Sequence, residues 1–374
     1  MRTYHAESAR AGLEVLARAG LRPDEFSREL IAIVGRAVPF DAMCVATTDP
    51  ATGFFTGSVK QNLDEDDELN YEFAVHEYAT EDVNQFTDLA RRRIGVGILR
   101  DDTGGDPARS GRFAEMVHPV FNAEHELRAV ARSGGSMWGA YALYRRSGGS
   151  GFSPAEADFL HGIESTVATG IRTSLVAAAA DPTDDPTAPA VLMFDRDGRV
   201  TQATPSADGR LADLGGESWT RLPAAVASVV SAGRARLSGA EWVLPRLRVR
   251  GRSGRWYVMH ASPMQSMDGS GTQVVVTIEE AGPPDVVPLL IAAYGLTARE
   301  GDVLRGVLQG RSTKEIATEL HLSPYTVQDH LKVIFDKTGA SSRRELTSQV
   351  FFSHQFDRYG AAQRPSGSNL AIAG

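Results

Sequence analysis

Between Leu296 and Leu346, polar side chains recur on one helical face: Tyr325, Thr326, Gln328, Asp329 and Lys332. Such a row suits hydrogen-bond recognition. Carboxamide, carboxylate and ammonium are groups that pair with adenine, with the cytosine amine and with guanine along the DNA major groove. Gln328, Asp329 and Lys332 are therefore candidate base readers. Lys314, Ser323, Thr326, His330 and Lys337 are candidate phosphate contacts, since backbone bonds fix register while base edges carry sequence. Two of these have plainer readings, His330 as a packing residue and Asp329 as a solvated carboxylate.

The elements that must position this row are legible as well. Thr297 with Glu300 three residues on has the capping-box spacing, and Val303, Leu304, Val307 and Leu308 then recur at helical period up to Gly310. A second short helix from Thr313 carries Ile316, Ala317 and Leu320, and His321-Leu322 is the turn. Ser323 before Pro324 opens a third helix whose buried stripe is Val327, Leu331, Ile334 and Phe335. Two short helices about a tight turn, the second one polar on its outer face, make a helix-turn-helix whose second helix enters the groove N-terminus first.

These residues also carry a family resemblance. The LTxRE opening at Leu296, the G-x-S-x-K-E-I-A segment at Gly310 to Ala317, L-x-L-S-x-x-T-V-x-x-H at Leu320 to His330, and K-T-G-A-x-S-R at Lys337 to Arg343 resemble the LuxR-type DNA-binding domain of bacterial transcription regulators. The resemblance covers under a fifth of the chain. It implies a four-helix head that binds double-stranded promoter DNA as a homodimer, with Leu346 and Val350 of the fourth helix at the dimer contact, and it admits RNA polymerase as a further partner. Gln328 stands where the family commonly has lysine, and Val333 where it has asparagine. The first departure shifts sequence preference, and the second removes a polar contact.

Composition excludes several classes. The single cysteine, Cys44, rules out an internal disulfide and a cysteine-based zinc cage. No run of about eighteen apolar residues occurs, so no membrane span and a cytoplasmic location are expected. Lysines stand only at 60, 314, 332 and 337, which removes any P-loop and argues against a phospho-accepting receiver around the strand-like Ile94 to Asp102. His118, Glu124 and His125 do not make a metal site, because Pro119 should interrupt their helix. No nucleophile elbow or cofactor motif appears, so neither an enzyme nor a cofactor is expected. The net charge is −8, yet residues 294–358 hold nine basic and eight acidic residues, leaving this segment at +1 and the remainder at −9. A head of such weak charge should bind modestly and need two copies.

Upstream, an amphipathic helix over Pro23 to Val38 precedes an apolar strand at Ala42 to Thr47, a turn at Pro50 to Gly53 and a strand from Phe54 to Val59. Strands recur at Val96 to Leu99, Leu127 to Arg132 and Trp138 to Tyr144, and Phe152-Ser153-Pro154 starts a closing helix. Over residues 25–176 this pattern resembles a GAF domain. That resemblance implies a ligand pocket between sheet and helices, with Phe73, His76, Tyr78, Phe86, Met116, His118 and Phe121 from the segment that would line it. Residues 177–189 read as a linker. Hairpins at 191–202 and 246–261 and a strand at 273–279 then resemble a PAS domain over 190–282, whose use is ligand binding or dimerisation alone.

The expected chain is thus multidomain. An N-terminal helical segment (1–24), a GAF-like α+β domain (25–176) and a PAS-like α+β domain (190–282), both with antiparallel sheets, lead through a coupling segment (283–293) to an all-α head (294–356) and a disordered tail (357–374). Function is read as sequence-specific transcription regulation, controlled by an unidentified signal through GAF-like and PAS-like modules that set dimer geometry, with a small-molecule effector admitted as a partner. The alternatives are a ligand-independent dimeric regulator whose upstream domains bind protein partners, and a small-molecule enzyme with an incidental helical end.

Overall fold

The computed structural model describes residues 2–63, 67–177, 189–216, 222–237, 244–265 and 272–347. Two antiparallel sheet domains precede a helical head. The first opens with α1 (Arg2–Leu16) and α2 (Pro23–Ala37), then β1 (Ala42–Thr48) and β2 (Phe55–Gln61). There follow α3 (Asp67–Tyr78), α4 (Phe86–Arg91), β3 (Val96–Ile98) and α5 (Leu99–Asp102). A π-helical stretch, Phe113–Val117, runs into α6 (His118–Phe121), and β4 (Ala123–Ser133), β5 (Ser136–Arg146) and α7 (Pro154–Ala177) complete the domain.

The strand order is β2-β1-β5-β4-β3. Central β5 is apolar on both faces because both are covered. Trp138, Tyr141 and Leu143 join the core under α2 and α7, while Ala140, Ala142 and Tyr144 face the opposite core. α2 starts at Pro23, where Glu25 accepts the Arg22 backbone N–H at 3.2 Å, and it buries Phe26, Leu30, Ile31, Ile33 and Val34. It crosses α7 so closely that a Cβ on Gly170 would stand 2.1 Å from the Phe26 ring.

In the second domain, β6 (Ala190–Phe194), β7 (Val200–Ala203), α8 (Ala207–Asp213) and α9 (Ala224–Leu237) precede β8 (Arg246–Arg250), β9 (Trp256–Gln265) and β10 (Thr272–Glu280). Its order, β7-β6-β10-β9-β8, repeats the succession of the first sheet. α9 lies between the domains: its buried residues share one apolar cluster with Leu247, Met259 and Val276 of its own sheet and with Phe54, Ala74 and Tyr78 of the first domain. Asp49, just after β1, and Arg248 of β8 add a buried bidentate ion pair.

The head consists of α10 (Pro283–Ala293), α11 (Ala298–Leu308), α12 (Thr313–Glu319), α13 (Pro324–Thr338) and helical residues at 343–347. α10 packs its Val286, Leu289 and Leu290 into the core that contains α7. Arg172 of α7 donates from Nε and Nη2 to the Ala293 carbonyl at 2.9 and 2.7 Å, satisfying an orphan carbonyl in the last turn of α10.

Two local expectations change. The run from Ile94 to Asp102 is strand only over Val96–Ile98 and then turns helical, with the Thr103 hydroxyl donating to Leu99 O at 2.6 Å to close the turn. Pro119 does not interrupt a helix but lies where the π-helical stretch runs into α6. Most of the expected linker and the whole tail lie outside the described residues.

Candidate nucleic-acid interface

The local sequence fixes each helix of the head. Thr297 Oγ1 accepts from Glu300 N while Thr297 N donates to Glu300 Oε2 at 2.8 Å, and Ser312 and Glu315 repeat the reciprocal pair on α12. Ser323 caps α13 by accepting from Thr326 N at 3.0 Å. The turn between α12 and α13 is a Schellman motif: His321 N donates to Thr318 O, Leu322 N donates to Ala317 O, and His321 itself is left-handed at φ +54°. A non-glycine residue there costs roughly 1–2 kcal/mol.

Behind the turn, Ile316, Ala317, Val327, Leu331 and Ile334 are buried together with Val303, Leu304 and Val307 of α11. That packing decides which side of α13 meets solvent. Gln328, Asp329 and Lys332 are exposed, Thr326 and His330 are half-buried, and Tyr325 is 80% exposed at the helix start. Three base-reading candidates therefore share one open ridge. Lys314 is exposed in the first turn of α12. Ser323 has its hydroxyl engaged by the cap and by Thr326 Oγ1 at 2.9 Å.

Lys337 has a different position from the one expected. Its ammonium donates to Glu300 Oε2 at 2.6 Å and Gly295 O at 3.1 Å, tying the end of α13 to the start of α11. Burial opposes charge on Glu300, but Lys337 and the Thr297 N–H outweigh it and hold the carboxyl below its ordinary value. The dimer expectation for Leu346 needs correction: the side chain is 1% exposed, packed in the core of its own head, and has nothing to offer a partner. Val350 lies outside the described residues.

The seven residues proposed to line a pocket in the first domain divide. Phe73, Phe86, Met116 and Phe121 border a cavity of about 60 Å³ on the face of the sheet opposite α7. His76, Tyr78 and His118 do not. His76 Nε2 faces Glu115 at 3.7 Å, the Tyr78 hydroxyl accepts from Phe55 N at 3.0 Å, and His118 Nδ1 lies 2.9 Å from Ala123 O with its ring stacked on Phe113. Helical spacing placed them in the right segment, but only the fold decides which way each points. Lys60 and Asn70 line the cavity and were not anticipated; the one sequence signal was that Lys60 is the only lysine before residue 314.

Residues 295–350 match the family model described as bacterial regulatory proteins, luxR family. The chain is 46% identical over 55 residues to an HTH-type transcriptional regulator of Mycobacterium bovis, a match spanning 15% of this chain and 6% of that protein. It is 41% identical over 70 residues to the transcriptional regulatory protein UhpA of Salmonella typhimurium, 18% of this chain and 36% of that one. Among solved structures, a Vibrio cholerae VqmA–ligand–DNA complex aligns at 19% identity over 45% of this chain and 84% of that chain, with a TM-score of 0.24. The chain thus spans only a small part of these curated relatives. Its C-terminal head is a LuxR-type helix-turn-helix DNA-binding domain.

Proposed function

We propose that the whole chain is a sequence-specific transcription regulator that binds double-stranded promoter DNA as a homodimer, with no bond made or broken. The observation that carries this is the open ridge of α13, where Gln328, Asp329 and Lys332 stand clear of the protein on a helix whose other face is locked into the core. Gln328 and Asp329 lie in the first turns, which enter the groove first, and read base edges; Lys332 follows one turn on. Lys314, Ser323, Thr326 and His330 hold the backbone. A charge of +1 over residues 294–358 supports a need for two heads on one site.

The two upstream domains serve as sensor modules, GAF-like and PAS-like. Their shared strand succession and the cavity in the first support that reading. An effector regulates by preferring one arrangement of the two heads over another. Arg172 on the α10 terminus and Arg248 on Asp49 give such a preference a path to the head.

The test is selection of binding sites from random duplex DNA by the full chain, followed by anisotropy titrations over a range of salt. Lys332→Ala should cost about 1–3 kcal/mol at the selected site and relax the base position it reads, while Lys314→Ala should weaken binding to all sequences and lower the salt slope by about 1. Gln328→Ala should cost about 1–3 kcal/mol at the selected site and relax one base position. If no sequence is enriched, or if all three variants bind as wild type does, the assignment fails.

A further inference from the structure

Upstream of the head this chain meets every need for a basic side chain with arginine except one. Lys60 on β2 is the only lysine among the first 313 residues, and it lines the partly open cavity of the first domain. The cavity exists because two adjacent cross-strand rows carry small residues: Lys60 pairs with Cys44, which pairs with Ala142, and Ser58 pairs with Ala46, which pairs with Ala140. Phe73 of α3, Phe86 of α4 and Phe121 of α6 wall the space beside this floor. The lining is mostly apolar; its polar residues include Ser58, Ser228 and Lys60, whose ammonium donates to Asn70 Oδ1 at 2.6 Å.

The void of about 60 Å³ compares with the ~10–15 Å³ that one water requires and the ~150 Å³ of a closed cavity that takes benzene; being partly open, it admits the polar edge of a small ring and leaves the rest at its mouth. An apolar pocket with one or two fixed polar groups is the usual design of a small-molecule site, the apolar part supplying affinity and the polar part orientation. Lysine suits a single acceptor atom here, because its compact ammonium turns its donors freely, whereas the planar arginine fork demands two acceptors in its plane. Part of the wall comes from outside the domain: Ala224 and Ser228 belong to α9, the helix whose buried residues share one cluster with the second sheet and with Phe54, Ala74 and Tyr78 of the first domain.

We propose that this composite cavity binds a single-ring, largely apolar molecule bearing a carbonyl or carboxylate oxygen, anchored by Lys60, and that α9, as a shared wall, conveys occupancy to the second domain. The inference deepens the sensor reading above by naming the ligand class and the route. It does not depend on DNA for its test.

Titration calorimetry of the full chain with acetophenone, benzoate and ethylbenzene probes it. All three share the ring, but only the first two carry an acceptor. A charge-assisted hydrogen bond should make the better acceptor bind at least about tenfold tighter than ethylbenzene. A preference for benzoate identifies a carboxylate ligand and one for acetophenone a neutral carbonyl. Lys60→Met should remove the advantage of the acceptor-bearing probes over ethylbenzene, and Ala140→Leu, which fills the floor, should abolish binding of all. Should Lys60→Met fail to fold by circular dichroism, Lys60→Gln serves, with the preference reduced but not lost. Amide exchange over residues 224–237 should slow at least about threefold with the bound probe. The proposal is overturned if no probe binds, if ethylbenzene binds as well as the acceptors, or if the preference is undiminished in the lysine variant; unchanged exchange in α9 overturns the route. Failure here leaves the DNA-reading ridge untouched, and equal DNA binding by Gln328→Ala leaves the cavity untouched.

Discussion

Replacing Asp49 by alanine should loosen the whole upstream body. Asp49 accepts from Arg248 N at 2.7 Å and Nε at 3.1 Å through one oxygen, and from Nη2 at 2.6 Å and Ala51 N at 3.0 Å through the other. Both side chains are almost wholly out of solvent, at 1% and 8% exposure. Removing the carboxylate leaves the guanidinium buried with one remaining acceptor, the Asp285 carbonyl at 3.1 Å. Breaking a buried pair from one side costs about 3–5 kcal/mol, because the surviving charge stays desolvated and unpaired. Arg248→Met should cost a similar amount for the mirror reason. The double variant removes both charges, so its loss should fall short of the sum of the singles by at least about 2 kcal/mol. Urea unfolding of the four proteins gives the cycle. Because Arg248 also holds the first turn of α10, amide exchange in residues 283–293 should accelerate in Asp49→Ala. A single-variant cost below about 1 kcal/mol, or strict additivity in the cycle, would refute the reasoning that this pair locks the domains through a shared desolvated charge.

Other outcomes follow from single sites. His321→Gly should stabilise the head by up to about 1 kcal/mol in thermal unfolding, since glycine relieves the left-handed strain at φ +54° while giving back part of the gain as entropy of the unfolded chain. Gly170→Ala should destabilise by about 1–3 kcal/mol through overpacking against Phe26, which is itself fully buried; urea midpoints measure it. Glu300, held below its ordinary value of 4.5, binds its proton less readily folded than unfolded. Its contribution is therefore present above that value and lost as pH falls through the lower folded one, so head stability should decline on acidification. Glu300→Gln should be less stable at neutral pH and should flatten that part of the pH profile followed by circular dichroism.

What the sequence determined by itself is the head. Caps three residues apart, a helical period of apolar residues and a proline after serine are interactions among near neighbours, and they specify α11, α12 and α13 with the polar ridge facing outward. The hairpins of both sheets were legible for the same reason, as strand alternation and turn residues are local. Tertiary structure decided the rest. Asp49 and Arg248 are 199 positions apart, and nothing near either announces the other. The cavity floor comes from small residues brought side by side by strand register, and part of its wall from α9 of another domain. Leu346 looked like an outward contact until α13 and its neighbours closed over it, and Lys337 looked like a free cation until Glu300 came within 2.6 Å. Periodicity states which residues share a face; only the packing of distant segments states what that face meets.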